Sequence, residues 1–393
     1  MISVQQADAI ILDHTQSFGL EIIPFENSLG RILGEDIYAD RDFPPFDRVA
    51  MDGICVRFED YKAGQRLFPI GDIQAAGEPQ KTLDAGNAIE IMTGATLCHK
   101  ADTVIRYEDL KIDNKQATIL IDDVRFEQNV HKRGTDRPVN DLLLKQYSKI
   151  NATAIGVLAT VGKSTVSVLK LPKVVIISTG DELVDIDQKP LPHQIRKSNV
   201  HTLKAILNAQ NISADLVHLS DDKSDIRTKL TSILTTYDVV LMSGAVSKGK
   251  FDFIPELLDE LKVEKHFHRV EQRPGKPFWF GIKDTTCVFA FPGNPVSTFL
   301  CAIRFFEPWL KKSLQQQPII QHAYLAEEVY FKPNLTYFLQ VNISNANGKV
   351  MAEPVKGNGS GDLANLTVAD AFLELPSDRT DFKSGEVFEF WSF

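Results

Sequence analysis

The chain has 393 residues, 43% of them hydrophobic and 24% charged, and carries a formal net charge of −9. That length exceeds one ordinary core and calls for two to four domains, while the acidic balance argues against a nucleic-acid partner, which needs a basic face. No apolar run reaches membrane-spanning length and the start, MISVQQADAI, lacks a charged leader, so a cytoplasmic protein is expected.

Ser3 and Gln6 stand at capping-box spacing, and Val4, Ala7, Ile10, Ile11 and Phe18 follow at helical intervals up to Gly19, so the first element reads as a helix. An extended segment over Asp36–Ala39 and a proline-broken linker, Phe43-Pro44-Pro45-Phe46-Asp47, come next. From Met51 to Val130 the pattern changes to short strands: Ile54–Phe58, Ala88–Met92, Thr103–Glu108 and Ala117–Ile121. Glycines punctuate them, which predicts a small β domain. Leu142–Ser148 and Thr153–Val161 read as helical or extended, and a return to the first segment would make the β domain an insertion.

From Lys173 the chain alternates. Strands are expected at Val174–Ser178, Ala214–Leu219, Val239–Met242 and Cys287–Phe291. Helices are expected at Asn199–Gln210, Asp225–Thr236, Phe253–Leu261 and from Pro295. Such alternation implies a mostly parallel sheet covered by helices. After Pro318, Ala323–Phe331, Tyr337–Ser344, Val350–Pro354, Ala371–Leu375 and Val387–Trp391 suggest a C-terminal β domain. Cys55, Cys98, Cys287 and Cys301 form no CxxC pair, and His266-Phe267-His268 has no third ligand nearby in the sequence, so neither set reads as a metal site.

Ligands of open α/β sheets bind at the carboxyl ends of the strands. Four loops are expected at that edge: Ser178–Glu182; the small-residue run Ser243–Gly249, including Gly244 and Ser247; Arg273-Pro274-Gly275-Lys276-Pro277; and Phe291–Ser297. Arg273 and Lys276 on a proline-stiffened loop suit an oxyanion. In the last loop, with Pro292 and Gly293, Asn294 reads as an N-cap and Pro295 as the first helical residue, so the helix end reads as an anion site. Asp181, Glu182 and Asp252 could hold a divalent cation against phosphate. Each loop alone also reads as an ordinary turn; together they point to a phosphate-bearing, Mg²⁺-assisted ligand whose identity stays open. In the β half, Asp47 and Asp52, and Thr93 with Gly94, stand in short loops that also read as Asx-capped turns.

The motifs PPFDRVAMDG (44–53), IMTGAT (91–96), ADTVIRYED (101–109), RGTD (133–136), STGDEL (178–183), SGAVSKGKFD (243–252), RPGKPFWFG (273–281), FPGNPVS (291–297) and GNGSGDLANL (357–366) occur in one order. In this the chain resembles the MoeA family of molybdopterin molybdenumtransferases, which includes the gephyrin E domain. The resemblance implies a multidomain α/β plus β protein. Its parts would be an elongated domain from 1–43 and 137–171, an inserted β domain at 44–136, a MogA-like α/β domain at 172–317 and a β domain at 318–393.

It further implies insertion of molybdate into adenylylated molybdopterin with release of AMP and Mg²⁺ assistance. The implied acidic and hydroxyl positions are Asp52, Thr93, Asp136, Glu182 and Asp252, with Asp52 and Glu182 at the metal. The implied substrate-binding positions are Arg273, Lys276, Pro292, Pro295, Ser297 and Ser360, beside Ser243, Gly244, Ser247, Gly293 and Asn294 of the anion loops. A homodimer with a shared site and delivery by the molybdopterin adenylyltransferase are implied as well. The alternative is a pterin-binding or scaffold protein without turnover. Three differences from the family pattern stand out: Ala245 replaces a glycine, Arg273 a lysine, and Leu335 and Gln340 stand around Phe338 where the pattern R-x-x-F-x-R has arginines.

Overall fold

The computed structural model describes residues 1–220, 222–244 and 253–393; Ser247 and Asp252 lie outside them. The chain divides into two units, one made of residues 23–29 and 33–166 and the other of residues 1–22, 30–32 and 167–393. No described helix is long and apolar enough to cross a membrane.

The first helix, α1 (Val4–Asp13), opens with the expected reciprocal cap between Ser3 and Gln6. It stops at His14 rather than Gly19, so Phe18 lies beyond it; Phe18 instead meets Trp309 edge-on at 6.3 Å between ring centroids.

The β-rich unit is built on a six-stranded sheet of β1 (Gly53–Val56), β2 (Leu67–Gln74), β3 (Ala88–Ile91), β4 (Thr103–Arg106), β5 (Leu110–Asp113) and β6 (Gln116–Ile119), in the order β4-β1-β3-β2-β6-β5. Alternate residues of β1 serve two cores, Cys55 one and Ile54 with Val56 the other. The strand expected to reach Phe58 ends at Val56, because Phe58–Lys62 turns into a short helix whose first amide is held by Asp102. Farther on, Leu142–Leu144 is extended and α2 (Ala152–Thr160) is a helix capped by Asn151.

In the other unit the expected alternation holds. It consists of β7 (Val174–Thr179), α3 (Asn199–Ala209), β8 (Ala214–Leu219), α4 (Lys223–Thr236), β9 (Val239–Ser243), α5 (Ile254–Glu260), β10 (Glu264–Phe267), β11 (Gln272–Arg273), β12 (Trp279–Lys283), β13 (Thr286–Phe291) and α6 (Pro295–Cys301). The sheet order is β8-β7-β9-β13-β12-β10. The first four strands are parallel and β12 and β10 add an antiparallel edge. Val174 and Ile176 face one core and Val175 and Ile177 the other, which is why β7 reads as an unbroken apolar run.

The chain then passes through a π-helical turn (Ala302–Phe306) into α7 (Glu307–Ser313). Next come β14 (Gln321–Leu325), β15 (Thr336–Ala346), β16 (Lys349–Pro354), β17 (Ala371–Leu375) and β18 (Val387–Ser392). Because β15 pairs with both β16 and β17, these strands close on themselves as a small barrel, with β11 added in parallel to β15. Closure leaves few unpaired strand edges.

The π turn places Arg304, 4% exposed, in the core of this unit. Its guanidinium donates to both carboxylate oxygens of Asp8 (2.7 and 2.6 Å) and to Glu374 Oε2 (2.8 Å), and it lies 4.2 Å from the Trp391 ring centroid. Burial by itself would lower the Arg304 pKa, but the two carboxylates outweigh it and keep the group charged, whereas burial pushes the Asp8 carboxyl up despite Arg304. All four cysteines are free and buried.

Candidate functional site

Two cavities flank the start of α6. The smaller, about 160 Å³, is lined by Thr179 and Glu182 at and beyond the end of β7, Ser243 and Gly244 at and beyond the end of β9, and Gly293, Asn294 and Pro295 at the start of α6. These loops leave the carboxyl ends of parallel strands, as expected. Gly180 has φ +118°, a conformation that L side chains rarely adopt, and a Cβ there would fall 2.4 Å from Glu182 Oε2. The glycine thus leaves room for the Glu182 carboxylate, which has no partner among the described residues.

Asn199, the first residue of α3, ties the crevice together. Its Nδ2 donates to Ser243 Oγ (2.8 Å) and the Gly293 carbonyl (2.8 Å), and reaches Thr298 Oγ1 at 3.3 Å. The sequence reading missed it, since an asparagine opening a helix reads only as a cap. Ser178, at the end of the same buried strand, shares a 2.9 Å hydrogen bond with His218 Nδ1, and burial holds the His218 pKa down.

The larger cavity, about 550 Å³, is lined by Arg273, Lys276, Pro292, Asn294, Ser297 and Ser360 together with Leu335, Tyr337 and Gln340 of the barrel. Here the expected placement of the third loop needs correction. Arg273–Pro277 does not follow a strand of the parallel sheet. Gln272 and Arg273 pair with Thr336 and Tyr337 of the barrel, and the loop then leads into β12. The loop still reaches the carboxyl edge, because β12 is antiparallel and starts with Trp279 opposite Ala290 near the end of β13. Arg273 Cζ sits 5.9 Å from the centroid of Phe331, on which Tyr337 stacks at 4.2 Å, so the cation rests beside an aromatic pair.

The cap reading of Asn294 is also corrected. Asn294 has extended backbone and makes no side-chain cap; its Nδ2 donates instead to Ser360 Oγ at 2.8 Å. The Ser360 carbonyl in turn accepts the Val296 N–H at 3.1 Å. Pro295 has no N–H, so the helix end offers a ligand fewer free amides than its sequence suggests. An anion placed there would depend more heavily on Arg273, Lys276 and the hydroxyls.

In the β-rich unit, Asp52 Oδ1 accepts the Thr93 N–H at 2.6 Å, and that bond, followed by the Thr93 hydroxyl, holds the exposed carboxyl below its usual range. Gly53 allows the approach that sets Asp52: a Cβ at this position would lie 1.9 Å from the Ile105 carbonyl oxygen of β4. Asp136 pairs with His131 Nε2 at 2.8 Å, and its N–H donates to the Phe43 carbonyl. The structure therefore brings Glu182, Ser243, Gly244, Gly293, Asn294 and Pro295 to one cavity. It brings Arg273, Lys276, Pro292, Asn294, Ser297 and Ser360 to the other, and Asp52 to Thr93.

Comparison with known proteins adds a consistent pattern. The MoeA N-terminal region (domain I and II) matches residues 2–162, the probable molybdopterin binding domain residues 175–312, and the MoeA C-terminal region (domain IV) residues 322–393. A Synechocystis protein named molybdopterin molybdenumtransferase is 40% identical, with all of both chains covered. One of the same name from Staphylococcus epidermidis is 29% identical, covering 98% of this chain and 94% of its own. The crystal structure of a molybdopterin biosynthesis MoeA protein from Pyrococcus horikosii superposes with a TM-score of 0.85 at 30% identity, covering 100% of this chain and 99% of that one.

Proposed function

The chain belongs to the MoeA family, and on that premise we propose that it is a molybdopterin molybdenumtransferase of molybdenum cofactor biosynthesis. It joins molybdate to the dithiolene of adenylylated molybdopterin and releases AMP. The observation that carries this reading is the position of Asn294, which lines both cavities. An oxyanion beside Arg273 and Lys276 and a phosphate beside Ser243 and Gly244 would meet across the start of α6. Much of the catalytic gain would come from holding two anionic partners together against fixed donors.

Mg²⁺ fits this arrangement in one particular way. No group of three or more His, Cys, Asp or Glu side chains among the described residues forms a cage. A Mg²⁺ ion that keeps part of its water shell would need only one or two carboxylates from the protein. Glu182, unpartnered among the described residues and given room by Gly180, would hold it, with Asp52 of a second copy as the other carboxylate, and the ion would supply charge neutralisation to phosphate. The remaining work falls to the protein: Lys276 and Arg273 bind the oxyanion, Asn199 fixes the crevice walls, and Thr93 holds Asp52 ionised.

The active form is proposed to be a homodimer in which Asp52 and Thr93 of one copy serve the crevice of the other. The test is incubation of the protein with adenylylated molybdopterin, Mg²⁺ and molybdate. Molybdate-dependent AMP release and formation of active cofactor are expected. Tight pterin-nucleotide binding with no AMP above background would instead establish the scaffold role.

A further inference from the structure

The barrel wall of the larger cavity carries a neutral amide, Gln340 on β15, rather than a cation. An amide facing an oxyanion is ambiguous: its nitrogen attracts and its oxygen repels. The structure resolves the ambiguity. Gln340 Oε1 accepts a hydrogen bond from Asn365 Nδ2 at 2.7 Å. Among the described residues that bond is the one the Gln340 side chain makes, and Gln340 lines the cavity, so the donor end is the one left to it.

Asn365 is itself held in place. It lies in the 3₁₀ segment Leu363–Val368, with its N–H donating to the Asp362 carbonyl at 3.3 Å. Gly357, another wall residue, packs against it so closely that a Cβ would fall 2.5 Å from Asn365 Nδ2. A side chain at residue 357 would force the Asn365 amide or the backbone around it to shift.

We propose that Asn365 is a positioning residue that locks the Gln340 amide with its nitrogen toward the oxyanion, making Gln340 a neutral, orientation-fixed donor for molybdate. The assignment rests on the reading of this cavity as the oxyanion site. A neutral donor tied from behind contributes binding without a further positive charge and discriminates by geometry more than by charge.

The test uses the full-length protein and molybdate alone, titrated calorimetrically. Asn365→Asp keeps the shape but presents acceptors only, so Gln340 must turn its nitrogen to the new carboxylate and its oxygen to the cavity. The Kd for molybdate is expected to rise by about tenfold or more, the scale of one hydrogen bond to a charged group. Melting temperature should stay within about 1 °C, as for other half-exposed substitutions. Adding Gln340→Arg to that variant should restore affinity, since a guanidinium donates to both the carboxylate and the oxyanion; a general disturbance of the loop would not be rescued. Undiminished binding by Asn365→Asp, or failure of the rescue, overturns the proposal. If the unmodified protein itself binds no molybdate, the reading of the cavity is what fails.

Discussion

Replacing Arg304 by methionine removes the cation from between two carboxylates in the core. Arg304 has a side chain 5% exposed, against 10% for Glu374 and 26% for Asp8, and it makes three hydrogen bonds of 2.8 Å or less to them. Methionine recovers much of the packing against Trp391 but leaves two acidic groups facing each other away from bulk water. Removing one partner of a buried ion pair costs about 3–5 kcal/mol. At about 2–3 °C per kcal/mol for a unit of this size, the melting temperature should fall by roughly 10 °C in scanning calorimetry. Two controls isolate the cause. The triple variant Arg304→Met, Asp8→Asn, Glu374→Gln should recover most of the loss, because no uncompensated charge remains and a glutamine oxygen can still accept the Trp391 Nε1–H seen at 2.9 Å. Lowering the pH from 7 to 5 should also narrow the gap between Arg304→Met and the parent, since burial already favours protonated Asp8. A shift below about 2 °C for Arg304→Met, or no recovery in the triple variant, would refute the argument that the triad is held by charge compensation.

Glu182→Gln should reduce molybdate-dependent AMP release by about 100-fold or more while moving the melting temperature by no more than about 1 °C, since the carboxylate has no structural partner to lose. Mixing that variant with Asp52→Ala should restore activity through mixed dimers; no recovery after subunit exchange would count against a shared site. Asp42, Asp52 and Asp60 are each held below the usual carboxylate range: Asp42 by the Val139 N–H and then Arg133, Asp52 by the Thr93 N–H, and Asp60 by Arg57. A depressed folded-state pKa gives stability that is present above the unfolded value of about 3.9 and lost as pH falls through the folded value. The β-rich unit should therefore soften progressively below about pH 4. Asp42→Asn with Asp60→Asn should flatten that dependence, and an unchanged slope would contradict it.

Much of the α/β sheet was legible because a strand buried on both faces must be apolar at consecutive positions, as Val174–Ile177 are, and the covering helices keep their own period. What escaped notice depends on distant partners. Leu67–Gln74 buries only Phe68 and Gln74 and carries a register shift, so β2 shows no alternation. Trp279–Lys283 begins with buried residues on an antiparallel edge, close to prolines that read as loop. The two-residue strand Gln272–Arg273 has no local signature at all. At the site, residue types were readable but pairings were not. Asn294 looks like a cap because capping is the commonest local use of an asparagine there, and only the return of Ser360 gives it another partner. The Asn199 ties and the Asn365–Gln340 bond likewise join residues that no short motif links.

The strand Gln272–Arg273 has a consequence for how separable the parts of this unit are. Its backbone belongs to the barrel, through Thr336 and Tyr337, while the chain that continues from it becomes a strand of the α/β sheet. The cationic loop is therefore a strap stitched to two bodies. A fragment cut after α7 would retain every strand of the parallel sheet yet lose the anchor of Arg273 and the Ser360 clasp on Asn294 and Val296. The barrel is thus less an appended module than the fixture that holds the cationic loop, and an isolated α/β fragment would be a fold without its grip.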